Sequence, residues 1–137
     1  MTASKCAVAA AVLLCAVSAA DARPFRWANN LDAATLDPYA RNVVFDLMIQ
    51  ENSYEPLARR KPDLSLEPAL ATEWKLVDPT TWRFTLRKGV KFHDGTPFTA
   101  EDVVFSYKRA TGPGSVIGAW FATVKGVVKV DDFTVDI

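Results

Sequence analysis

TWRFTLRKGVKFHDGTPFTAEDVVFSYKR, residues 81–109, decides the fold. Trp82, Phe84 and Leu86 alternate with Arg83, Thr85 and Arg87, the period-two pattern of a strand with one buried and one wet face. Lys88-Gly89 breaks the run, because glycine accepts the positive φ that reverses a chain. Val90 and Phe92 resume the apolar face and Asp94-Gly95 marks a second turn. Pro97 lacks the N–H an interior strand needs and closes the sheet. A helix follows. Thr99 is its N-cap, Asp102 stands three residues on in a capping-box position, and Glu101 adds negative charge where the helix dipole favours it. Val103, Val104 and Tyr107 form the inward stripe, Lys108 and Arg109 suit the C-terminal end, and Thr111-Gly112-Pro113-Gly114 stops the helix.

Upstream of this stretch, residues 73–77 read as a strand and Asp78-Pro79-Thr80 as the turn into the next one. Trp74 and Leu76 then pair across a hairpin with Trp82, Phe84 and Leu86, and this aromatic face is the expected local core. Arg59-Arg60-Lys61 reads as a solvated turn. Residues 42–52 predict an amphipathic helix, with Val43, Val44, Leu47 and Met48 on one face, Asp46 and Gln50 pointing away, and Pro56 ending it. Tyr54 and Leu57 continue the core contact. Residues 25–29 read as a first strand, followed by a loop in which Leu36-Asp37-Pro38 is a fixed corner, since Pro38 biases Asp37 toward an extended conformation. Corners of this kind leave backbone groups free to meet a ligand.

Downstream, residues 111–118 are loop and Trp120-Phe121 is an apolar pair. A last hairpin is expected from residues 127–130, a turn at Asp131-Asp132 and the alternation of Phe133, Val135 and Ile137. The chain stops in mid-alternation, which reads as cut rather than finished.

Residues 1–22 read as a cleaved signal peptide: Lys5 precedes an apolar run over residues 6–17, and Ala20-Asp21-Ala22 fits the small-x-small cleavage pattern. The run is shorter than the roughly 20 residues a membrane span needs. Both cysteines, Cys6 and Cys15, fall inside it, so a disulfide framework is excluded for the mature chain. Lipidation at Cys15 is the alternative, opposed by Leu14 where a small residue is wanted.

Composition is that of a soluble globular protein, half hydrophobic and 23% charged, and sixteen basic residues balance sixteen acidic ones. That balance gives no general pull toward nucleic acid or anionic membrane. Arg83, Arg87, Lys88 and Lys91 make a basic stripe, but the aromatics point to the opposite face and remove the stacking platform. Catalytic chemistry is sparse. His93 is the sole histidine, it lies in a turn, and no nucleophile-elbow or phosphate-loop motif is present. Asp131-Asp132 and Glu101-Asp102 each have a structural reading as turn and cap.

Residues 81–109 resemble the signature of the peptide/nickel-type (family 5) extracellular solute-binding proteins of ABC importers. That signature is a Trp-x-Phe-x-Leu-Arg strand, then Lys-Phe-x-Asp-Gly-x-Pro-x-Thr-Ala-x-Asp-Val and a helix ending in a basic residue. Leu36-Asp37-Pro38, Tyr54-Glu55-Pro56-Leu57 and Pro68-Ala69-Leu70-Ala71-x-x-Trp74 match in the same order. The resemblance implies a mixed α/β, periplasmic binding protein-like two-lobed fold. Residues 23–45 would begin ligand-binding lobe I, and residues 46–137 would form most of a small extra domain, truncated at its end. It further implies a periplasmic, monomeric, non-enzymatic receptor without cofactor or metal, which passes peptides, nickel or related small solutes to a membrane permease. Its ligand contacts would fall on Arg41, Asn42, Val43, Val44 and Phe45, after the Leu-Asp-Pro corner, and on Trp120. Two rival readings are a secreted structural or interaction module and a secreted hydrolase using His93.

Overall fold

A computed structural model describes residues 26–137. The expected signal peptide and both cysteines lie outside the described residues. The chain divides into two units, Met1–Asn30 and Leu31–Ile137. In the first, residues 26–30 are exposed and irregular, which corrects the strand expected at 25–29. Phe25 lies outside the described residues.

In the second unit four strands form one antiparallel sheet, in the order Ala71–Asp78, Thr81–Leu86, Thr134–Asp136 and Val128–Asp131. Strands β3 (Ala71–Asp78) and β4 (Thr81–Leu86) form the expected hairpin, with Trp74 opposite Phe84 and Leu76 opposite Trp82. The Trp74 and Phe84 rings stack with centroids 6.2 Å apart. Asp78 Oδ1 accepts hydrogen bonds from the Thr80 amide at 2.9 Å and hydroxyl at 3.0 Å, fixing the turn. Strands β5 (Val128–Asp131) and β6 (Thr134–Asp136) complete the sheet, one residue later at the turn than the sequence suggests. Arg83 grips Asp136 in a bidentate pair at 2.7 Å on both arms, opposite each other in the β4–β6 register.

The core sits at one end of this hairpin rather than along its aromatic face. Leu86 is buried, whereas Leu76 and Trp82 are about half exposed. Leu86 packs with Ala71, Phe98, Ala100, Val103 and Val135. The reason is cover: helix α2 (Ala100–Thr111) and the 98–100 segment reach the Leu86–Val135 end, and β6 ends opposite Arg83.

The loop between sheet and helix follows its sequence closely. Gly89 and Gly95 hold φ of 77° and 89°, Asp94 Oδ1 accepts from the Thr96 amide and hydroxyl, and Lys91 bridges Pro97. Phe92 meets Phe98 edge-on at 6.2 Å. Helix α2 carries the full capping box: Thr99 Oγ1 accepts from the Glu101 amide at 3.3 Å, and the Thr99 amide donates to Asp102 at 2.8 Å. Its Ala100 amide donates to the Asp132 carbonyl at 2.9 Å, so the β5–β6 turn seats the helix start. Lys129 spans the same junction, 3.1 Å from Glu101 and 2.8 Å from Asp132.

Two local readings are corrected. Arg59 and Arg60 belong to strand β1 (Ala58–Arg60), paired with β2 (Leu66–Pro68) in a separate two-stranded sheet. The turn comes after them, where Leu64 takes a φ of 68° and Asp63 accepts from Ser65. Both arginines stay exposed, so solvation did not distinguish turn from edge strand. Helix α1 spans Val44–Gln50, shorter than the expected 42–52 and ending well before Pro56. Its expected faces are only partly kept: Val43 and Leu47 are half-buried, but Val44 and Met48 are 73% and 54% exposed, and Asp46 and Gln50, expected outward, are buried. Tyr54 is likewise half exposed, and Leu57 packs at the core margin. The burial of Asp46 and Gln50 has its cause in the corner that α1 holds.

Candidate ligand-binding site

Residues 34–39 turn sharply and expose backbone groups that their own hydrogen bonds do not satisfy. Local side chains take part of the load: Asp37 donates its amide to Thr35 Oγ1 at 3.0 Å and accepts from the Tyr39 amide at 2.9 Å. Helix α1 supplies the rest. Asp46 Oδ1 accepts from the Ala34 amide at 3.2 Å, and Gln50 Nε2 donates toward the carbonyls of Thr35 and Asp37 at 3.5 and 3.4 Å. Tyr54 adds its hydroxyl to the Leu36 carbonyl at 3.2 Å. Asp46 and Gln50 are one helical turn apart and so share a face, which is why α1 buries its polar residues.

From the opposite side, Arg109 at the C-terminal end of α2 donates to Asp37 Oδ2 at 2.6 Å and lies 5.2 Å from the Tyr39 ring centre. Tyr39 in turn accepts from the Val116 amide through its carbonyl at 2.9 Å. Two helices and one loop therefore hold the corner, and the segment it launches has a fixed starting point.

That segment carries five of the six expected ligand residues. Arg41 is half exposed with Nη1 3.6 Å from Asp46 Oδ2, an ion-pair distance too long for a hydrogen bond. Asn42 is exposed. Val43 is extended at φ −120° and ψ 132°, and its carbonyl accepts from the Leu47 amide at 3.1 Å. Val44 opens to solvent, whereas Phe45 is 8% exposed and turns inward. Trp120 stands on a short 3-10 turn, Gly118–Phe121, with 64% of its surface exposed. Residues 41–45 are thus brought together by the corner, and Trp120 is carried by a different loop.

Asp46, Gln50, Tyr39 and Arg109 were missed by sequence reasoning as builders of this site. One signal was available: a corner fixed by proline needs its carbonyls and amides satisfied, and an Asp and a Gln spaced four apart on the next helix can do it.

A second feature adjoins the corner. An apolar groove of about 580 Å³ runs between α1 and α2, with Leu47, Leu57, Val103, Tyr107 and Phe121 in its walls and Gln50 at its edge. Tyr107 and Phe121 meet edge-on at 5.8 Å there. Among the described residues no group of three or more His, Cys, Asp or Glu side chains is placed to hold a metal ion. His93 sits exposed in its turn.

The family of bacterial extracellular solute-binding proteins, family 5 (middle region), matches residues 65–137. The periplasmic murein peptide-binding protein MppA of Escherichia coli K12 is 35% identical over 97 residues, 70% of this chain and 18% of that protein. The nickel-binding periplasmic protein of the same strain is 34% identical over 126 residues, 88% of this chain and 23% of that one. Among solved structures, MoaA of A. tumefaciens R10 in complex with mannopinic acid superposes with a TM-score of 0.71 at 35% identity, covering 77% of this chain and 23% of that one. The chain spans less than a quarter of the length of each of these relatives. The mixed α/β architecture agrees with theirs, and the residue-by-residue signature in the 81–109 stretch lies within the matched region. This chain belongs to the bacterial extracellular solute-binding proteins of family 5.

Proposed function

We propose that the chain forms the N-terminal part of a periplasmic solute receptor that feeds an ABC importer and performs no catalysis of its own. The observation that carries this reading is the corner at Leu36-Asp37-Pro38, held from both sides by Asp46, Gln50 and Arg109. Receptors gain affinity by fixing their binding groups before the ligand arrives, and this corner presents residues 41–45 from a fixed point. Relatives named for murein peptides, oligopeptides and nickel indicate the solute range: peptides, metal chelates and similar small molecules. In this reading residues 23–45 open lobe I, residues 46–137 build the small extra domain, and the receptor is a monomer exported by a cleaved signal peptide.

Within the site, the backbone of Arg41, Asn42 and Val43 supplies hydrogen bonds, Val44 and Trp120 supply apolar contact, and Phe45 contributes through its backbone while its side chain anchors the loop. The test is a thermal-shift and titration panel of di-, tri- and oligopeptides, murein peptides and nickel–histidine. It is run on the product of the open frame together with any sequence downstream of Ile137. Saturable binding that weakens on Trp120→Ala is the expected result. A folded product that binds nothing in the panel sinks the proposal.

A further inference from the structure

Strand β3 is an edge of the main sheet: it pairs with β4 on one side and, among the described residues, with no strand on the other. Its first residue is tied down, since the Ala71 amide donates to the Leu57 carbonyl at 2.8 Å. Which of the following backbone groups point outward is settled by β4. Trp82 and Ile137 exchange both N–H···O bonds, at 2.7 and 2.8 Å, and Leu86 donates to the Phe133 carbonyl at 2.8 Å. The even-numbered residues of β4 therefore bond toward β6, and Arg83 and Thr85 bond toward β3. Their partners in register are Lys75 and Glu73, which leaves Trp74 and Leu76 to direct N–H and C=O out of the sheet. Unpaired edges of this kind are templates for another strand. The side chains say which strand fits. Glu73 and Lys75 share one face and are exposed. Lys75 stands opposite Arg83, whose guanidinium is already held by Asp136, and has no ion pair of its own among the described residues. Like charges directly opposite are unfavourable, so Lys75 lacks an anion where the sheet stops.

We propose that two copies of this chain pair through β3, antiparallel and two-fold symmetric about Trp74, so that the two sheets become one. With the axis at Trp74, Glu73 faces the second copy's Lys75 and Lys75 faces its Glu73, in the closer, non-hydrogen-bonded pairs. The two Trp74 residues, which point their backbone groups outward, exchange N–H···O bonds at the axis. Leu76, on the Trp74 face and 52% exposed, lies diagonal to the second copy's Trp74 and gains cover. No neighbouring register does as well: an axis at Glu73 or at Lys75 sets that charge against itself, and an axis at Leu76 sets Lys75 against Val77. The contact is isologous and closes at two copies. Its small size makes the dimer weak and reversible. The single chain remains the solute-binding unit, since β3 shares no residue with the corner or with residues 41–45.

The experiment is sedimentation velocity on the purified chain from about 10 µM to about 1 mM, the range of weak association. A monomer–dimer equilibrium is expected, weakened by added salt. Glu73→Lys and Lys75→Glu each set like charges opposite one another at two symmetric positions and raise the dissociation constant about tenfold. The double variant Glu73→Lys/Lys75→Glu returns it to the parent's value, because the exchange restores both pairs. Both positions are exposed, so dilute samples of all three variants melt as the parent does, and the rescue separates a contact between copies from a loss of folding. The proposal is overturned by a chain that stays monomeric over the whole range, by a dimer that either single reversal leaves intact, by a double variant that fails to recover, or by association that grows past the dimer.

Discussion

Arg109 Nη2 meets Asp37 Oδ2 at 2.6 Å across 72 positions of sequence, and the same guanidinium lies over the Tyr39 ring. This pair ties the end of α2 to the corner that launches the candidate ligand loop. Both side chains are about one-third exposed, so the contact owes its value to geometry more than to burial. Arg109→Ala is expected to cost about 1 kcal/mol of stability, the sum of a screened ion pair and an exposed cation–π contact. Its larger effect is local: amide exchange at Tyr39 and Val116 accelerates. Arg109→Lys restores the charge without the planar fork and leaves the exchange fast. Unchanged exchange in the alanine variant would show that the corner is held by α1 alone.

Leu86 and Trp82 lie four residues apart on one strand face with opposite surroundings, 2% and 45% exposed. Leu86→Ala should lower stability by about 2–5 kcal/mol, the range for emptying a buried leucine site. Trp82→Ala should cost clearly less in urea unfolding, because its ring keeps much of its surface in water. Equal costs would move the core back to the aromatic face.

Gly95 sits at φ 89° with open space where a Cβ would be, so strain and not crowding sets the effect of substitution. Gly95→Ala is expected to destabilise by about 1–2 kcal/mol, the penalty of a left-handed conformation for an L-residue. Gly126 also has open space but no positive φ. Gly126→Ala should therefore be neutral or slightly stabilising through the unfolded chain, and paired thermal melts of the two variants check the contrast.

Acid sensitivity follows from five carboxylates. Hydrogen bonds from Ser65 to Asp63, from Thr81 to Asp78, from Thr96 to Asp94 and from the Phe133 amide to Asp131 hold these groups below their ordinary value of 3.8. Arg83 does the same for Asp136, by hydrogen bond first and charge second. With folded values depressed, the unfolded chain binds more protons than the folded one in this range. The stability they contribute is full above about pH 4 and is lost as pH falls through 3.8 toward the folded values. Melting temperature should be level from neutral pH to about 5 and drop below 4. Asp136→Asn should lower it at neutral pH and flatten the acid slope, and a melting temperature unchanged down to pH 2.5 would contradict the assignment.

Where local chemistry alone determines the backbone, the sequence is legible. Thr99 with Asp102, Asp94 with Gly95, and Trp74 facing Phe84 were all readable, because each signal and its partner lie within a few residues or one hairpin. Helix α1 departs from its apolar pattern at Asp46 and Gln50, which turn inward, and at Val44 and Met48, which turn outward. Val43, Val44, Leu47 and Met48 make an apolar stripe, but the demand of the corner for hydrogen bonds outweighs it, and that demand comes from residues 34–37. The Arg109–Asp37 contact was invisible for the same reason, since nothing near Arg109 reports a partner 72 positions away. The candidate site is therefore the less legible part: its loop was found from the resemblance, and its supports emerged only in three dimensions.

Helix α2 is fastened at both ends by distant chain: Ala100 to the Asp132 carbonyl at its start, Arg109 to Asp37 at its finish. The Ala100 amide finds its acceptor only in the turn of the last hairpin, while the rest of the first turn is capped locally by Thr99 and Asp102. A protease cut in the loop following Thr111 is expected to leave two pieces that stay docked through the Ala100–Asp132 and Val116–Tyr39 hydrogen bonds and the β4–β6 ladder, and that separate only under denaturing conditions.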